Sequence, residues 1–196
     1  MKNLVLALAF LGLFMSSPIP VSSKIQEKES PGSHISKEKE LEPSLRKAVN
    51  KLLGTIRRGD SEQFLTMFSR GNVNIGIDNE LSYDEIAKAF KERGPLYCHY
   101  FDTDCLRKHL EEIGYKPAED LEGTLPLPIS YREIVGRVAG LEISQADVRY
   151  HPSKFYGVVT VTWKTPKPRE VGLVEFFDFT FVLEDGEWRL SSDSTF

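Results

Sequence analysis

FFDFTFVLEDGEWRLSSDSTF, residues 176–196, decides how this chain folds. Two runs rich in β-branched and aromatic residues flank Asp185-Gly186. A two-residue loop of that composition suits a type I′ hairpin, which needs φ > 0 at both central positions. Folding back there pairs Leu183 with Trp188, Phe181 with Leu190, Phe179 with Ser192 and Phe177 with Ser194 on one face. The other face pairs Val182 with Arg189, Thr180 with Ser191 and Asp178 with Asp193. One side of the ribbon is then a continuous aromatic row, and burying each ring stabilises by about 1.5–3 kcal/mol. Such a row needs a cover.

The strand signal extends upstream. "DVRYH" (147–151), "GVVTVTWK" (157–164) and "VGLVEFFDFTFVLE" (171–184) are β-rich runs separated by "PSKFYG" and "TPKPRE". "SYREIVGRVAGLEIS" (130–144) reads as either helix or strand, with strand from Leu141 onward. The cover comes from the N-terminal side. After Pro43, which suits a first helical position, Leu45, Val49, Leu52, Leu53 and Ile56 form one apolar helical stripe. Gly59 ends that helix and Asp60 caps a short second one, with Gln63 three residues on and Phe64, Leu65, Met67 and Phe68 as its buried face. "NVNIGID" (72–78) alternates as a short strand. Ser82 and Glu85 form a capping box opening a helix through Ile86 and Phe90, which Gly94-Pro95 ends. A further helix after "FDTD" carries Leu106, Leu110 and Ile113, and residues 116–130 read as a loop. Helices followed by a long antiparallel sheet define an α+β fold.

The chain has 196 residues, 40% hydrophobic and 28% charged, with net charge −4 and pI near 5.7. That supports one domain with a real core and gives no electrostatic basis for nucleic-acid binding, which needs clustered cations. The basic run Lys164, Lys167 and Arg169 sits in "KTPKPRE", whose two prolines suggest an exposed turn, and is expected to be solvated. "MKN", the apolar run Leu4–Met15 and "SSPIPVSS" have the pattern of a secretory signal, cleaved after Ser23. Leu4–Met15 is too short for a bilayer core of about 30 Å, which takes about 20 residues. Residues 1–23 are thus expected to be a signal peptide, and the mature protein to be exported, periplasmic or secreted, without stable membrane insertion. Residues 24–42, "KIQEKESPGSHISKEKELE", hold few large apolar groups and are expected to form a disordered linker, with His34 solvated. The domain proper is expected at 43–196.

Three stretches carry a resemblance: "RRGDSEQFLTMFS" joining two helices, "VNIGIDNELSYDEIAKAF" as strand and capped helix, and the closing "EDGEWRLSSD". Together the order of elements resembles the nuclear transport factor 2-like (NTF2-like; SnoaL-like, cystatin-like cone) superfamily over most of residues 43–196. The resemblance implies a curved sheet wrapped around helices with a conical pocket between, and residues 97–130 form an insertion relative to a minimal member. It implies no single function, because this fold hosts enzymes, binding modules and assembly subunits.

Cys98 and Cys105, in "CHYFDTDC", are a disulfide by default in an exported chain. A straight helix would set them about 10 Å apart, beyond the roughly 7 Å a bridge tolerates, so a turn at "FDTD" is required. A zinc site from Cys98, His99, Cys105 and His109, or a free Cys105 at a helix N-terminus, are the alternatives. Asp78 follows the first strand, where the resemblance places the general base of ketosteroid isomerases, yet the first helix has no Tyr as oxyanion donor. Glu175 is the charge in the row Leu173, Glu175, Phe177, Phe179, Phe181 and, with Phe177, Phe179, Ser192 and Ser194, is expected to line the pocket. Asp178 and Asp193, opposite each other, would repel unless a proton or cation relieved them. His151 sits at a turn. The preferred reading is a non-enzymatic domain, without cofactor or metal, that binds a small apolar ligand or a protein partner through cone or sheet face. The alternative is an isomerase or dehydratase using Asp78, His151 and Glu175. An outer face mixing Val174, Phe176 and Val182 with charges allows a homodimer.

Overall fold

The computed structural model describes residues 31–76, 79–137 and 140–195. The Asp-Gly bend forms as expected: Asp185 and Gly186 have φ of 49° and 80° and join β7 (Phe177–Glu184) to β8 (Glu187–Thr195). The long hairpin β5 (Leu141–His151) and β6 (Lys154–Trp163) continues the sheet. A short strand β1 (Val73–Ile75) lies on the other side of β8, followed by β2 (Asn79–Leu81). The order is β2-β1-β8-β7-β6-β5. Every pairing is antiparallel except β1 with β8, which is parallel, so the sheet is mixed rather than wholly antiparallel.

The hairpin register departs from simple alternation. Leu183 opposes Trp188, Val182 opposes Arg189 and Phe181 opposes Leu190, but Thr180 then opposes Ser192 and Phe179 opposes Asp193. Ser191 is the extra residue of a bulge. Its cause is competition for β8's other edge. Leu190 donates its N–H to the Met67 carbonyl at 2.7 Å and accepts from Ser69 N–H at 2.8 Å, while further along Asn74 and Ile75 pair with Ser192 and Asp193. The expected pairings of Phe179 with Ser192, Phe177 with Ser194 and Asp178 with Asp193 are thereby corrected. Asp178 instead opposes Ser194 and accepts from the Thr160 hydroxyl at 2.6 Å, and Asp193 turns inward.

The helical cover begins earlier than composition implied. Helix α1 spans Pro31–Arg58, so residues 31–42 are helix and not a disordered linker. The lysines and glutamates of this segment are good helix formers, and tertiary contacts supply what apolar content does not. Glu38 accepts the backbone N–H of Tyr150 at 2.8 Å and the His34 ring stacks on Tyr150 at 4.1 Å. Those contacts meet the outer edge of β5 at Tyr150, where an edge strand otherwise offers open backbone groups. Further along, Leu45, Val49, Leu52 and Ile56 are fully buried.

Helix α2 (Ser61–Leu65) is capped by Asp60, and α3 (Tyr83–Lys91) by the Ser82/Glu85 capping box. Gly94-Pro95 ends α3 and also opens α4 (Pro95–Phe101), with Pro95 in the first turn where its missing N–H costs nothing. Asp102 separates α4 from α5 (Thr103–Glu112) and caps the latter. Between α5 and α6 (Tyr131–Arg137) lies a loop with two two-residue strands, β3 (Glu119–Asp120) and β4 (Gly123–Thr124). The core is strongly aromatic: Phe64 packs on Phe68, Tyr100 and Phe101 at centroid distances of 5.1, 4.7 and 5.3 Å. Phe177 and Phe179 complete it from the sheet, each 1% exposed.

Candidate functional site

Three buried polar groups meet inside this aromatic packing. The bulge at Ser191 aims Asp193 inward, 2% exposed. The Tyr100 hydroxyl donates to Asp193 Oδ2 in a short hydrogen bond, and the Tyr131 hydroxyl donates to Oδ1 at 3.1 Å. Each residue comes from a different element, α4, α6 and β8. Burial pushes the Asp193 carboxyl up to about 6, against the pull of the two tyrosine hydrogen bonds. Burial first, then the nearby Asp193 charge, holds both tyrosines well above their ordinary range, so neither ionises near neutrality.

Tyr131 links this triad to a cavity. Its ring packs on Phe177 at 4.8 Å and on the His99 ring at 4.6 Å. His99 and Tyr131 line a mostly apolar cavity of about 100 Å³, with Leu125, Ile129, Val171 and Val174 among its walls. His99 has no hydrogen-bond partner among the described residues, and burial lowers its value to about 4, so its imidazole is neutral at ordinary pH.

The loop over the cavity is fastened by Arg169, one residue of the basic run expected to be solvated. Arg169, in a 3-10 turn at Arg169–Val171, pairs with Asp120 at 3.1 Å and Glu122 at 2.7 Å and reaches the carbonyls of Gly123 and Thr124. Lys167 donates to the Gly172 carbonyl at 2.8 Å and pairs with Glu175. On the other side, Cys98 and Cys105 form a disulfide between α4 and α5 with Cα atoms 5.4 Å apart. The turn at Asp102 makes this approach, and it leaves neither thiol for the zinc or free-cysteine alternatives. Among the described residues no group of three metal-ligating side chains occurs.

The residues singled out from sequence do not assemble here. Asp78 lies outside the described residues, as does the segment read as a signal peptide. His151 is exposed at the β5–β6 bend, and Glu175 is exposed beside Lys167. Neither lines the cavity. Ser192 joins Asn72, Asn74 and Thr180 in a recess on the opposite sheet face, because the bulge reverses its direction. Ser194 is half-buried opposite Asp178, and Phe177 and Phe179 belong to the packed core. The residues that do converge, His99, Tyr100, Tyr131 and Asp193, were missed for two reasons. One residue of register placed Asp193 outside, and "LYCHYF" lay in a region treated as an insertion. The only available signal was aromatic density in "LYCHYF", unusual for a surface loop. None of the described helices is long and apolar enough to cross a membrane.

No family model and no curated protein sequence matches the chain. Among solved structures it is similar to an NTF2-like protein of unknown function from Shewanella oneidensis MR-1, with 12% identity over 78% of this chain and 96% of that one and a TM-score of 0.40. It is also similar to an NTF2-like protein with a cystatin-like fold from Novosphingobium aromaticivorans, at 11% identity, 82% of each chain and a TM-score of 0.38. A third, an NTF2-like protein from Cytophaga hutchinsonii ATCC 33406, shares 13% identity over 76% of this chain and 91% of that one, with a TM-score of 0.36.

Proposed function

We propose that this chain is an exported domain that binds a small, largely apolar molecule in the cavity beneath the 115–130 loop. One observation carries the reading: the cavity's walls are apolar, and its polar tips, His99 and Tyr131, are not hydrogen-bonded to each other, the Tyr131 hydroxyl being turned to Asp193. Export is supported by the sequence of residues 1–23 and by the disulfide. The volume of about 100 Å³ suits a single ring at most, since an engineered cavity of about 150 Å³ accepts benzene. The test is native mass spectrometry and titration calorimetry with toluene and cyclohexanol. Both probes should bind the wild type one to one, and Val174→Trp, which fills the cavity from its half-buried rim, should abolish binding with folding intact. Absence of binding by either probe, or binding untouched by Val174→Trp, refutes the proposal.

A second reading, an acid–base enzyme of the isomerase or dehydratase kind, is favoured by one feature. Tyr131 touches both the neutral His99 ring at the cavity and the buried Asp193 carboxyl. It is tested by incubating cyclohexanone in heavy water. Hydrogen exchange at the carbons beside the carbonyl that is faster with wild type than with His99→Phe supports it, and equal rates exclude it.

A further inference from the structure

Helix α6 has two faces. Tyr131 and Ile134 turn to the apolar cavity, while Arg132, Glu133 and Gly136 line a polar groove of about 600 Å³. The end of α1 contributes Arg57 to that groove, and α5 with its cap contributes Asp102, Thr103, Asp104 and Arg107. Three guanidiniums therefore share one groove with three carboxylates, and a simple balance of charge would leave nothing to explain.

The partners are not balanced. Asp102 accepts the Cys105 N–H at 3.0 Å, and Glu133 accepts the Thr103 hydroxyl at 2.6 Å. Arg57 donates Nε to the Val135 carbonyl at 3.1 Å. Arg107 and Arg132 have no hydrogen bond or ion pair among the described residues, although Asp104 stands three positions before Arg107 on the same helix. Nε of Arg107 is moreover buried without a partner, and a buried donor left unmet costs its desolvation. Arg132 keeps its place because residue 59 is glycine. A Cβ there would stand 2.7 Å from the Arg132 Cζ.

We infer that this groove is a binding site for an oxyanion-bearing ligand, a phosphate ester or a polycarboxylate, held chiefly by Arg107 and Arg132 with Arg57 beside them. The planar guanidinium fork matches either oxyanion in bidentate fashion. The volume lies within the usual range of small-molecule sites. The inference rests on residues separate from the apolar cavity, so either proposal can fail alone.

The test is titration calorimetry of the whole mature protein with inorganic pyrophosphate and, separately, citrate, at low and high salt. At least one should bind saturably, with a Kd of about 1 mM or tighter, and weaken as salt rises. Preference for pyrophosphate assigns a phosphate ligand, and preference for citrate a carboxylate. Arg107→Ala and Arg132→Ala should each weaken binding about tenfold or more, and Arg107→Lys should not restore it, because a lysine lacks the fork. Arg70→Ala, removing a guanidinium stacked 3.9 Å over the Tyr83 ring, should leave binding unchanged. Having no partner, Arg107 and Arg132 should be removable without lowering the Tm. Failure of both probes to saturate, binding that survives the double alanine variant, or a drop in Tm on either single substitution overturns the inference.

Discussion

Replacing Asp193 by Asn should change the pH dependence of stability in a direction that the burial of this one carboxyl dictates. Its value rises from 3.8 to about 6 in the folded chain, so between those pH values the folded state holds a proton that the unfolded state has released. Its contribution is complete below about pH 4 and is lost as pH climbs through 6. At 1.36 kcal/mol per tenfold change the loss is about 3 kcal/mol. The facing groups are Tyr100 and Tyr131, both neutral throughout this window. His99, one ring further out, acts oppositely. Its value falls from 6.5 to about 4, so its penalty is present at low pH and relieved as pH rises through the same window. That effect is at most about 3 kcal/mol, and less to the extent that the half-buried ring still meets solvent. The two slopes oppose, and the wild type should show only a shallow net contribution from them. Asp193→Asn keeps the shape, accepting from one tyrosine and donating to the other. Urea unfolding at pH 4, 5, 6 and 7, followed by tryptophan fluorescence, should show the variant gaining on the wild type by about 3 kcal/mol between pH 4 and 7. His99→Phe should move the other way, losing ground relative to wild type over the same range. A variant-minus-wild-type difference that stays constant from pH 4 to 7 would refute the reasoning, since it would mean that the tyrosines hold Asp193 ionised throughout.

Gly157→Ala should destabilise by about 1–3 kcal/mol, the range for overpacking. A Cβ at 157 would stand 2.5 Å from Leu45 Cδ1, and Leu45 is fully buried. A denaturation midpoint unchanged by the substitution would show that α1 does not press on β6 there. Reducing the Cys98–Cys105 bridge, which closes a loop with a sequence separation of 7, should cost about 2–3 kcal/mol on the chain-entropy model. Thermal melts with and without reductant, repeated on the Cys98→Ala/Cys105→Ala double variant, measure it. A loss in the double variant much larger than that of reduction would indicate packing rather than cross-linking.

Much of the architecture was legible because it rests on local chemistry. The Asp-Gly bend needs two residues at positive φ, the Ser82/Glu85 box closes within one turn, and the Leu45–Ile56 stripe repeats at helical spacing. Each of these has its cause within a few residues. What was illegible has its cause far away in sequence. Residues 31–42 read as unstructured because their own composition buries little, yet Glu38 and His34 find partners on Tyr150, which lies more than a hundred residues on. Lys167 and Arg169 read as solvated, yet Arg169 binds the loop at Asp120 and Glu122 and Lys167 holds the Gly172 carbonyl and Glu175. Charged side chains carry no periodic signature of their partners, so composition assigns them to solvent by default.

The inward turn of Asp193 shows the same limit at the site itself. Alternation along β8 predicts every second residue inward from Trp188, which sends Ser192 in and Asp193 out. Strict alternation would satisfy β7 alone. β8 also has β1 and the segment after α2 on its other edge, and the Leu190 and Asp193 backbone groups are engaged by Met67, Ser69 and Gly76. One extra residue, Ser191, reconciles the two neighbours, and its hydroxyl takes up the Thr180 carbonyl at 3.1 Å. The consequence is chemical. Had the alternation held, a serine would face the aromatic interior. With the bulge, an ionisable carboxyl stands there, and among the described residues its oxygens are met by the two tyrosine hydroxyls alone. Removing Tyr131's hydroxyl should therefore raise the Asp193 value further and deepen the fall in stability between pH 4 and 7, whereas an outward Asp193 would not respond to that hydroxyl at all.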